Sequence, residues 1–579
     1  MGIPDLFRSF QPLKNPIGFG AADFIELFLA LMIAGAILVF RPWIEPWTQR
    51  LAKRTVWCML LLAALPVVLR VALLAHHPVP TPDIYDEFSH LLVADTLRHF
   101  RLANPAHPMS RFFETFFVLQ QPTYSSIYPV GQGLALAFGW TLFGTAWAGV
   151  VISTAVFCAL VYWMLRAWTT PGWALVGGVL AVMEFGPLCQ WMNSYWGGAF
   201  AACGGCLIFG ALPRLRERES ARDALLLGAG FAIHLLTRPF ESVFLLVAVA
   251  AGMLLFVRRW RPALIAGAAV VPAIVLTLAQ NHAVSGNWTT LPYALSQYQY
   301  GVPAALTFQA TPTPHHELTR EQDLDYKMQS GFRSGPETIG TYLTRLEYRI
   351  RYYRFFFLPP LYIALIAFVW RLRERRYLWV AGCALLLALG TNFFPKFQLH
   401  YMAAATCLFV LMSVAGLERL AHWNGEASAM LVILCVSHFV FWYGVHATSD
   451  SPVLRAYETW DYINHTNPER RIAVGQQLAK IPDKLLVLVR YWPQHIFQDE
   501  WVYNSAVIDQ SRVVWARDLG PDEDDKLTHY YPDRKVWLLE PDAVPPRLTP
   551  YVKPEPPPPA KKEEEKPKKP PLIIMEDVK

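Results

Sequence analysis

Charged residues are scarce in this chain of 579 residues: Asp, Glu, Lys and Arg together make up 17% of it, whereas soluble proteins carry about 25%. Hydrophobic residues make up 54%, and this balance excludes an ordinary soluble globular protein. The formal net charge is only +6, and the arginines fall in short clusters between apolar runs. That distribution indicates membrane orientation, and we expect no nucleic-acid partner.

Cysteine is also sparse, and its placement argues against a disulfide framework. All eight cysteines lie inside apolar segments. Cys203 and Cys206 form a C-x-x-C motif in "AFAACGGCLIFGAL", where small residues favour close helix packing over metal or redox chemistry. The sequence also lacks zinc-ligand spacing, a glycine-rich phosphate loop and a nucleophile elbow. The first apolar run follows a polar stretch without a cleavage site, so no cleavable signal peptide is expected.

Long apolar runs are what the chain has in abundance. A spanning helix needs about 20 mostly apolar residues, and thirteen runs approach or reach that length. We therefore predict a mainly α, polytopic bundle of about 12–13 membrane helices. The runs cover residues 21–40, 56–75, 129–144, 146–166, 172–190, 194–212, 222–237, 241–257, 262–280, 352–370, 377–393, 398–415 and 428–446.

Four basic clusters predict the orientation of these helices. By the positive-inside rule they face the cytoplasm, so loops 76–128 and 281–351 and everything after 447 face outward. This predicts a multi-pass protein of the plasma (inner) membrane. Three runs lie between the first outward loop and the outward turn near 192, where an even number is needed, and the status of 129–144 stays open. The clusters are Arg41, Arg50, Lys53 and Arg54; Arg214, Arg216, Arg218 and Arg222; Arg258, Arg259 and Arg261; and Arg371, Arg373, Arg375 and Arg376.

The composition changes after 447, and the chain divides into four predicted regions. Residues 1–55 hold the first helix and a cytoplasmic link, and 56–446 form the main membrane domain. Residues 450–545 alternate short apolar runs with helix-like stretches, which predicts a small extracytoplasmic (periplasmic) α/β domain with a largely parallel sheet. Residues 546–579 are rich in Pro, Lys and Glu and are predicted to be a disordered tail.

The stretch "TPDIYDEFSH", residues 81–90, places Asp86 and Glu87 beside the outer end of a membrane helix. The apolar spacing that follows predicts an amphipathic helix lying on the membrane surface. Asp86 then falls in its first turn, where backbone N–H groups stabilise an ionised carboxylate. Two interpretations stay open: a helix cap beside a solvated charge, or a general base that accepts a proton from a hydroxyl.

Three segments together resemble the GT-C glycosyltransferases, a superfamily that includes protein O-mannosyltransferases and the aminoarabinose transferases that modify lipid A. "DEFSHLLVADTL" resembles their first-loop Asp-Glu motif. "QPTYSSIYPVGQGLALAFGWTLFG" (121–144), which contains Tyr128, resembles the region that follows, without its Lys-Pro-Pro or His-Pro-Pro. "PKFQLHYMAAATCLFVLM" (395–412) resembles a late helix entry, without its proline. The resemblance covers about residues 56–446.

The resemblance implies an inverting transfer of a sugar from a polyprenyl-phosphate donor to a hydroxyl of a protein, lipid or glycan. Asp86 would accept the proton, and Glu87 would position the acceptor or the donor. Lys396, His400 and Tyr401 match the late motif and would bind the donor phosphate. Lys396 is equally open to interpretation as an interfacial lysine whose ammonium reaches toward water.

Other ionisable residues leave alternatives open. Arg238 either pairs with Glu241 across a helix turn or reaches the donor phosphate. Glu184, deep in an apolar run, either makes a helix contact or has a functional role. Asp323 and Asp325 form a D-x-D in the second loop, but a metal is possible rather than indicated, and no cofactor is expected to be required. Aromatic residues in "NSYWGGAF" (193–200) suit either a sugar-stacking face or an interfacial belt.

Two other functions also fit a polytopic chain of this kind. One is a transporter or flippase for lipid-linked saccharides, although no internal repeat or pair of broken helices supports it. The other is a non-catalytic envelope assembly protein whose outer domain recruits partners.

Overall fold

The computed structural model describes residues 21–257, 259–332, 335–448, 463 and 468–553. The predicted tail from residue 554 onward lies outside the described residues. Nineteen α-helices lie in the described part: α1 (Ala21–Ala52), α2 (Thr55–Ala72), α3 (Tyr85–Arg98), α4 (Val130–Phe143), α5 (Ala146–Leu165), α6 (Pro171–Phe185), α7 (Ala199–Glu217), α8 (Ala221–Thr237), α9 (Pro239–Gly252), α10 (Trp260–Ser285), α11 (Pro292–Tyr300), α12 (Arg320–Gly331), α13 (Ile339–Ile350), α14 (Leu361–Phe368), α15 (Arg375–Thr391), α16 (Thr406–Trp423), α17 (Gly425–Thr448), α18 (Glu469–Ala479) and α19 (Pro521–Tyr530).

Each of the thirteen apolar runs overlaps one of these helices, and the mainly α architecture is confirmed. Within the described residues, eight helices are long and apolar enough to cross a membrane. The pair Ile339–Phe356 and Leu361–Arg373 would add a ninth if its 114° bend belongs to one span. Helices α4 and α6 are apolar but shorter. The largest core cluster lies among these helices, with Leu62, Phe157 and Leu408 fully buried in it.

Helix α4 resolves the odd count of runs near residue 144. Near its start, Gly131 packs against Leu236 and Thr237 at the end of α8; near its end, Gly139 packs against Gly149 at the start of α5. Both ends of α4 also meet the 192–195 turn: Gln132 Nε2 near its start donates to the Tyr195 carbonyl at 3.2 Å, and Trp147 Nε1 just after its end donates to the Met192 carbonyl at 2.9 Å. Helix α5 then runs away from this turn, and the Tyr162 hydroxyl near its end donates to the Ala52 carbonyl at 2.8 Å. Because both ends of α4 meet one side, this helix does not cross the bundle, and an even number of runs remains.

Helix α3 corrects the prediction of an amphipathic helix lying on the membrane surface. Ten of its residues are buried, including the polar Ser89, His90 and Asp95. It packs along α4 and beneath a small antiparallel sheet of β1 (Asn104–Pro105), β2 (Val118–Leu119) and β3 (Thr123–Ser126), in the order β1-β3-β2. The helix is therefore an internal element of the outer side rather than a lipid-facing one.

The C-terminal region forms the predicted largely parallel sheet. Its strands β4 (Leu485–Val489), β5 (Val513–Arg517), β6 (Lys535–Glu540) and β7 (Arg547–Pro550) lie in the order β5-β4-β6-β7. Strands β5 and β6 both pair with β4 in parallel, and β7 pairs antiparallel with β6. Strand β7 begins after residue 545, so the first residues assigned to the tail belong to the sheet.

The C-terminal sheet packs onto the two long loops, and we call the side that carries all three the outer side. Asp95 Oδ2 accepts from the backbone N–H of Ala506 at 2.8 Å. Arg517 Nη1 donates to Glu321 Oε2 at 2.7 Å, and its Nε donates to the Glu114 carbonyl at 2.6 Å. These contacts join segments hundreds of residues apart, so the sheet fixes the loops above the bundle.

Candidate active site

A cavity of about 320 Å³ lies between the outer loops and the outer ends of the membrane helices. We call it the Asp86 cavity. Its wall combines apolar and aromatic side chains with a number of polar and charged ones, and an apolar pocket with convergent polar groups is typical of ligand sites. Seven of the predicted site residues line it: Asp86, Tyr128, Arg238, Glu241, Lys396, His400 and Tyr401.

Asp86 is held in the first turn of α3 with its carboxylate at the cavity wall. Its side chain is 8% exposed, and the Tyr128 hydroxyl donates to Oδ1. The Trp196 side chain also donates to this carboxylate. Burial raises the pKa of Asp86 above its usual range, while Lys396, Tyr128 and Trp196 act in the opposite direction. The result is a carboxylate that is a stronger proton acceptor than one in water.

Glu87 lies outside the lining of the cavity, so its predicted role of positioning the acceptor or the donor stays a prediction. Its Oε1 accepts from the Tyr195 N–H at 2.8 Å, and its Oε2 accepts from the N–H groups of Asp83 at 2.9 Å and Ile84 at 3.3 Å. The last contact is the glutamate half of a capping box: it satisfies the N–H of the residue that precedes α3, whose own side chain makes no cap hydrogen bond. Burial raises the pKa of Glu87 to about 7. Its oxygens are thus committed to fixing the start of the helix that carries Asp86.

Arg238 makes the pair with Glu241 that the sequence offered as one alternative, and it also lines the Asp86 cavity. Its Nη1 lies 4.0 Å from Glu241 Oε1, and its guanidinium lies 5.2 Å from the centre of the Tyr401 ring. The Arg238 side chain is only 17% exposed, yet it lines the Asp86 cavity. A single long ion pair leaves most of its five N–H donors available to an anion.

Lys396 enters the cavity from a segment that other arginines hold in place. Its ammonium makes no hydrogen bond or ion pair with the residues that the structure describes. Arg349 Nη1 donates to the Thr391 carbonyl at 2.8 Å, and its Nη2 donates to the carbonyls of Phe394 and, at 3.3 Å, Lys396. The backbone of this segment is therefore fixed, while the ammonium itself remains open to the cavity.

Aromatic rings complete the wall around the carboxylate. The Trp196 and His400 rings meet edge to face at 5.3 Å between centroids, which places a residue of "NSYWGGAF" in the site. His90 stacks on Tyr128 at 4.1 Å, and neither of its ring nitrogens has a hydrogen-bond partner among the described residues. Burial lowers the pKa of His90 to about 3, so its ring is neutral. The helical pattern gives His90 no distinct position in the sequence, so it is not among the predicted site residues.

Glu184 and the D-x-D motif lie outside this wall. Glu184 lines a separate small pocket with His438. Asp323 and Asp325 lie on α12 rather than in an irregular loop: Asp323 is exposed and paired with Lys327, whereas Asp325 is buried and accepts from Gln329 at 2.9 Å. Burial raises the pKa of Asp325 to about 7. Within the described part of the chain, no group of three or more His, Cys, Asp or Glu side chains could hold a metal ion.

No family model and no curated protein matches the chain. Among solved structures it is similar to ArnT from Cupriavidus metallidurans, with 11% identity and a TM-score of 0.48 over 84% of this chain and 93% of that chain in the apo state. It is similar to the same protein bound to undecaprenyl phosphate, with 11% identity and a TM-score of 0.48 over 83% of this chain and 92% of that chain. It is also similar to the Archaeoglobus fulgidus oligosaccharyltransferase, with 10% identity and a TM-score of 0.40 over 84% of this chain and 69% of that chain.

Proposed function

We propose that this protein is an integral-membrane, inverting glycosyltransferase that moves a sugar from a polyprenyl-phosphate donor to an acceptor hydroxyl on the outer face of the plasma membrane. One observation carries the proposal: a buried carboxylate, Asp86, and two cations, Arg238 and Lys396, line one cavity at the outer ends of membrane helices. A proton acceptor and a binding site for a leaving phosphate are the two parts that such a transfer needs.

The carboxylate suits the role of general base. In the proposed step the acceptor oxygen attacks the anomeric carbon, and its proton passes to Asp86. The bond from the anomeric carbon to the phosphate oxygen breaks, and the electron pair leaves with the polyprenyl phosphate. Because burial raises the pKa of Asp86, its basicity lies closer to neutral pH, which favours proton transfer.

The two cations suit the leaving group. Arg238 follows directly on α8 and precedes α9, so it sits where spanning helices end. A lipid phosphate lies at that depth of a bilayer, and its prenyl chain would extend along the apolar helices. Charge-assisted hydrogen bonds from a guanidinium and an ammonium would stabilise the charge that develops on the phosphate. The proposed step uses these residues and no cofactor.

A transporter of lipid-linked saccharides has less support. A transporter would use Glu184 as a proton relay. Glu184, however, lies in a separate pocket rather than in the Asp86 cavity. A non-catalytic role would leave the buried Asp86, with its two donors from Tyr128 and Trp196, without a function.

The proposal is tested in proteoliposomes loaded with polyprenyl phosphates that carry radiolabelled hexose, pentose or aminopentose. Membranes of cells lacking the protein supply the acceptors. We expect at least one label to move from the prenyl lipid to a lipid, glycan or protein fraction, with release of polyprenyl phosphate. Translocation of an intact lipid-linked sugar without cleavage would instead establish transport and overturn the proposal.

A further inference from the structure

A second cavity, of about 530 Å³, opens where the C-terminal sheet meets both outer loops. We call it the interdomain cleft. Its wall combines residues 110, 111 and 114 of the first loop, 316–321 of the second loop, and 489–491 and 517–519 of the C-terminal sheet region. The volume falls within the roughly 300–1,000 Å³ of small-molecule pockets, and such pockets favour domain interfaces. The proposed transfer step uses none of its residues.

The position in the sheet is one at which ligands bind. The cleft lies just past the carboxyl ends of β4 and β5, which end at Val489 and Arg517. In open α/β sheets, ligands bind in the crevice outside the carboxyl ends of parallel strands. The opposite end of the sheet, at the amino ends of the parallel strands where Lys535 begins β6, contributes no residue to the cleft wall.

Every carboxylate in the wall already has a basic partner. Glu317 pairs with Arg111 at 3.3 Å, and Glu114 pairs with His316 at 3.1 Å. The remaining pairs are Glu321 with Arg517 at 2.7 Å and with Arg320 at 3.4 Å, and Asp518 with Arg490. The cleft therefore presents dense hydrogen-bonding groups with a balanced charge, and an anionic ligand would have to compete with carboxylates for each arginine.

Such a wall suits a neutral polyhydroxyl ligand. A guanidinium has five N–H donors and a carboxylate about four lone-pair sites, so a paired group still has capacity for ligand hydroxyls. Leu318, Val489 and Leu519 add apolar surface between the charged groups, which suits the C–H faces of a sugar ring. We infer that the interdomain cleft binds a neutral saccharide.

Helix α12 relates this cleft to the Asp86 cavity. Arg320 at its start lines the cleft, and Gln329 near its end lines the Asp86 cavity. Nine residues of helix span about 14 Å, which is within reach of a short oligosaccharide. The bound saccharide belongs to the acceptor, and this assignment, unlike the binding itself, rests on the proposed function.

The test measures binding by isothermal titration to the full-length protein in nanodiscs, with no lipid donor present. The probes are maltotetraose, mannotetraose and chitotetraose, with tetragalacturonate as the anionic comparison. We expect at least one neutral probe to bind, and Arg490→Ala and Arg111→Ala each to weaken it by about tenfold, the loss expected for one charge-assisted hydrogen bond. Both side chains are partly exposed, at 39% and 70%, so the variants keep the fold.

Lys535→Ala is the matched control, because Lys535 is an exposed, ion-paired cation at the opposite edge of the same sheet; its affinity should stay within about twofold of wild type. The inference is wrong if no neutral probe binds, if both cleft variants bind as wild type does, or if tetragalacturonate binds more tightly. Binding without sugar transfer in the donor assay would keep the cleft and refute the proposed function. Sugar transfer without saccharide binding to the cleft would keep the proposed function and refute the cleft.

Discussion

Replacing Asp86 with Asn removes the proton-accepting carboxylate while keeping its size. Asn retains one acceptor oxygen, so the hydroxyl of Tyr128 can still donate to it, and the first turn of α3 is held independently by Glu87. The variant should therefore fold and insert as wild type does. Its effect on sugar transfer then reports on proton transfer rather than on stability.

The expected loss follows from the role of a general base. A positioned base contributes about 10²–10⁴-fold to a rate, equivalent to about 3–5 kcal/mol of barrier at roughly 1.36 kcal/mol per tenfold. Donor affinity should hold or improve, because a negative charge beside the lipid phosphate has been removed. We therefore expect kcat to fall by about 10²–10⁴-fold with little change in KM.

The pH profile makes the same test sharper. Asp86 must be ionised to accept a proton, so wild-type activity should rise with pH through the pKa of this group. Burial raises that pKa, so the rise should come at higher pH than for an ordinary carboxylate near 4. The residual activity of Asp86→Asn should lose this limb. The assay measures transfer of the radiolabelled sugar in proteoliposomes from about pH 4, near the pKa of an ordinary carboxylate, to about pH 9.

Asp323→Asn is the matched control, because Asp323 is an exposed carboxylate on α12 that pairs with Lys327. It should transfer sugar at the wild-type rate. The reasoning about Asp86 is refuted if folded, inserted Asp86→Asn transfers sugar as fast as this control, or if it keeps the acidic limb of the wild-type profile.

Three further substitutions separate binding, structure and transport. Lys396→Ala should lower the affinity of the donor site for farnesyl phosphate, measured by competition with the donor, by about 10–100-fold, because one charged hydrogen bond is lost. Lys327→Ala is the control, because Lys327 is an exposed lysine on α12. Equal affinities in the two variants would remove Lys396 from the site. Glu87→Gln puts an amide N–H against backbone N–H groups and should lower the free energy of unfolding by about 1–3 kcal/mol, seen as a lower thermal unfolding midpoint. Glu317→Gln, exposed at the rim of the cleft, should leave the midpoint unchanged. An unchanged midpoint for Glu87→Gln would contradict the role of Glu87 in fixing the start of α3. Glu184→Gln should leave transfer at the wild-type rate in the same proteoliposomes, and a large loss would return Glu184 to the mechanism.

Most of the membrane domain could be predicted from the sequence because a bilayer imposes a simple requirement. Each span must satisfy its backbone internally and expose apolar side chains, so long apolar runs become helices. In the C-terminal region, a short continuous apolar run corresponds to strand β4, whose five residues are all buried. Asp86, Arg238 and Lys396 could be found as charged residues at helix ends, where an ionisable group is costly without a role.

The packing of the outer loops could not be predicted, because their helices are buried by partners far away in the chain. Helix α3 carries Ser89, His90 and Asp95 on faces that water would otherwise cover. Ser89 donates to the Phe117 carbonyl at 2.6 Å, and Asp95 accepts from Ala506. A local pattern registers these residues as polar and exposed, since the second contact joins residues 411 positions apart. The misassigned surface helix and the missed His90 have this one cause.

Helix geometry explains why two adjacent carboxylates take different roles. Successive residues of an α-helix point about 100° apart, so Asp86 and Glu87 cannot both face the cavity. Glu87 turns inward and ties the start of α3 to Asp83, Ile84 and Tyr195 by three backbone hydrogen bonds. These bonds fix the turn from which Asp86 projects, and they hold the reactive carboxylate in place without using its own oxygens. The pair thus separates support from chemistry, so a substitution at Glu87 should reach the transfer step only through the position of Asp86.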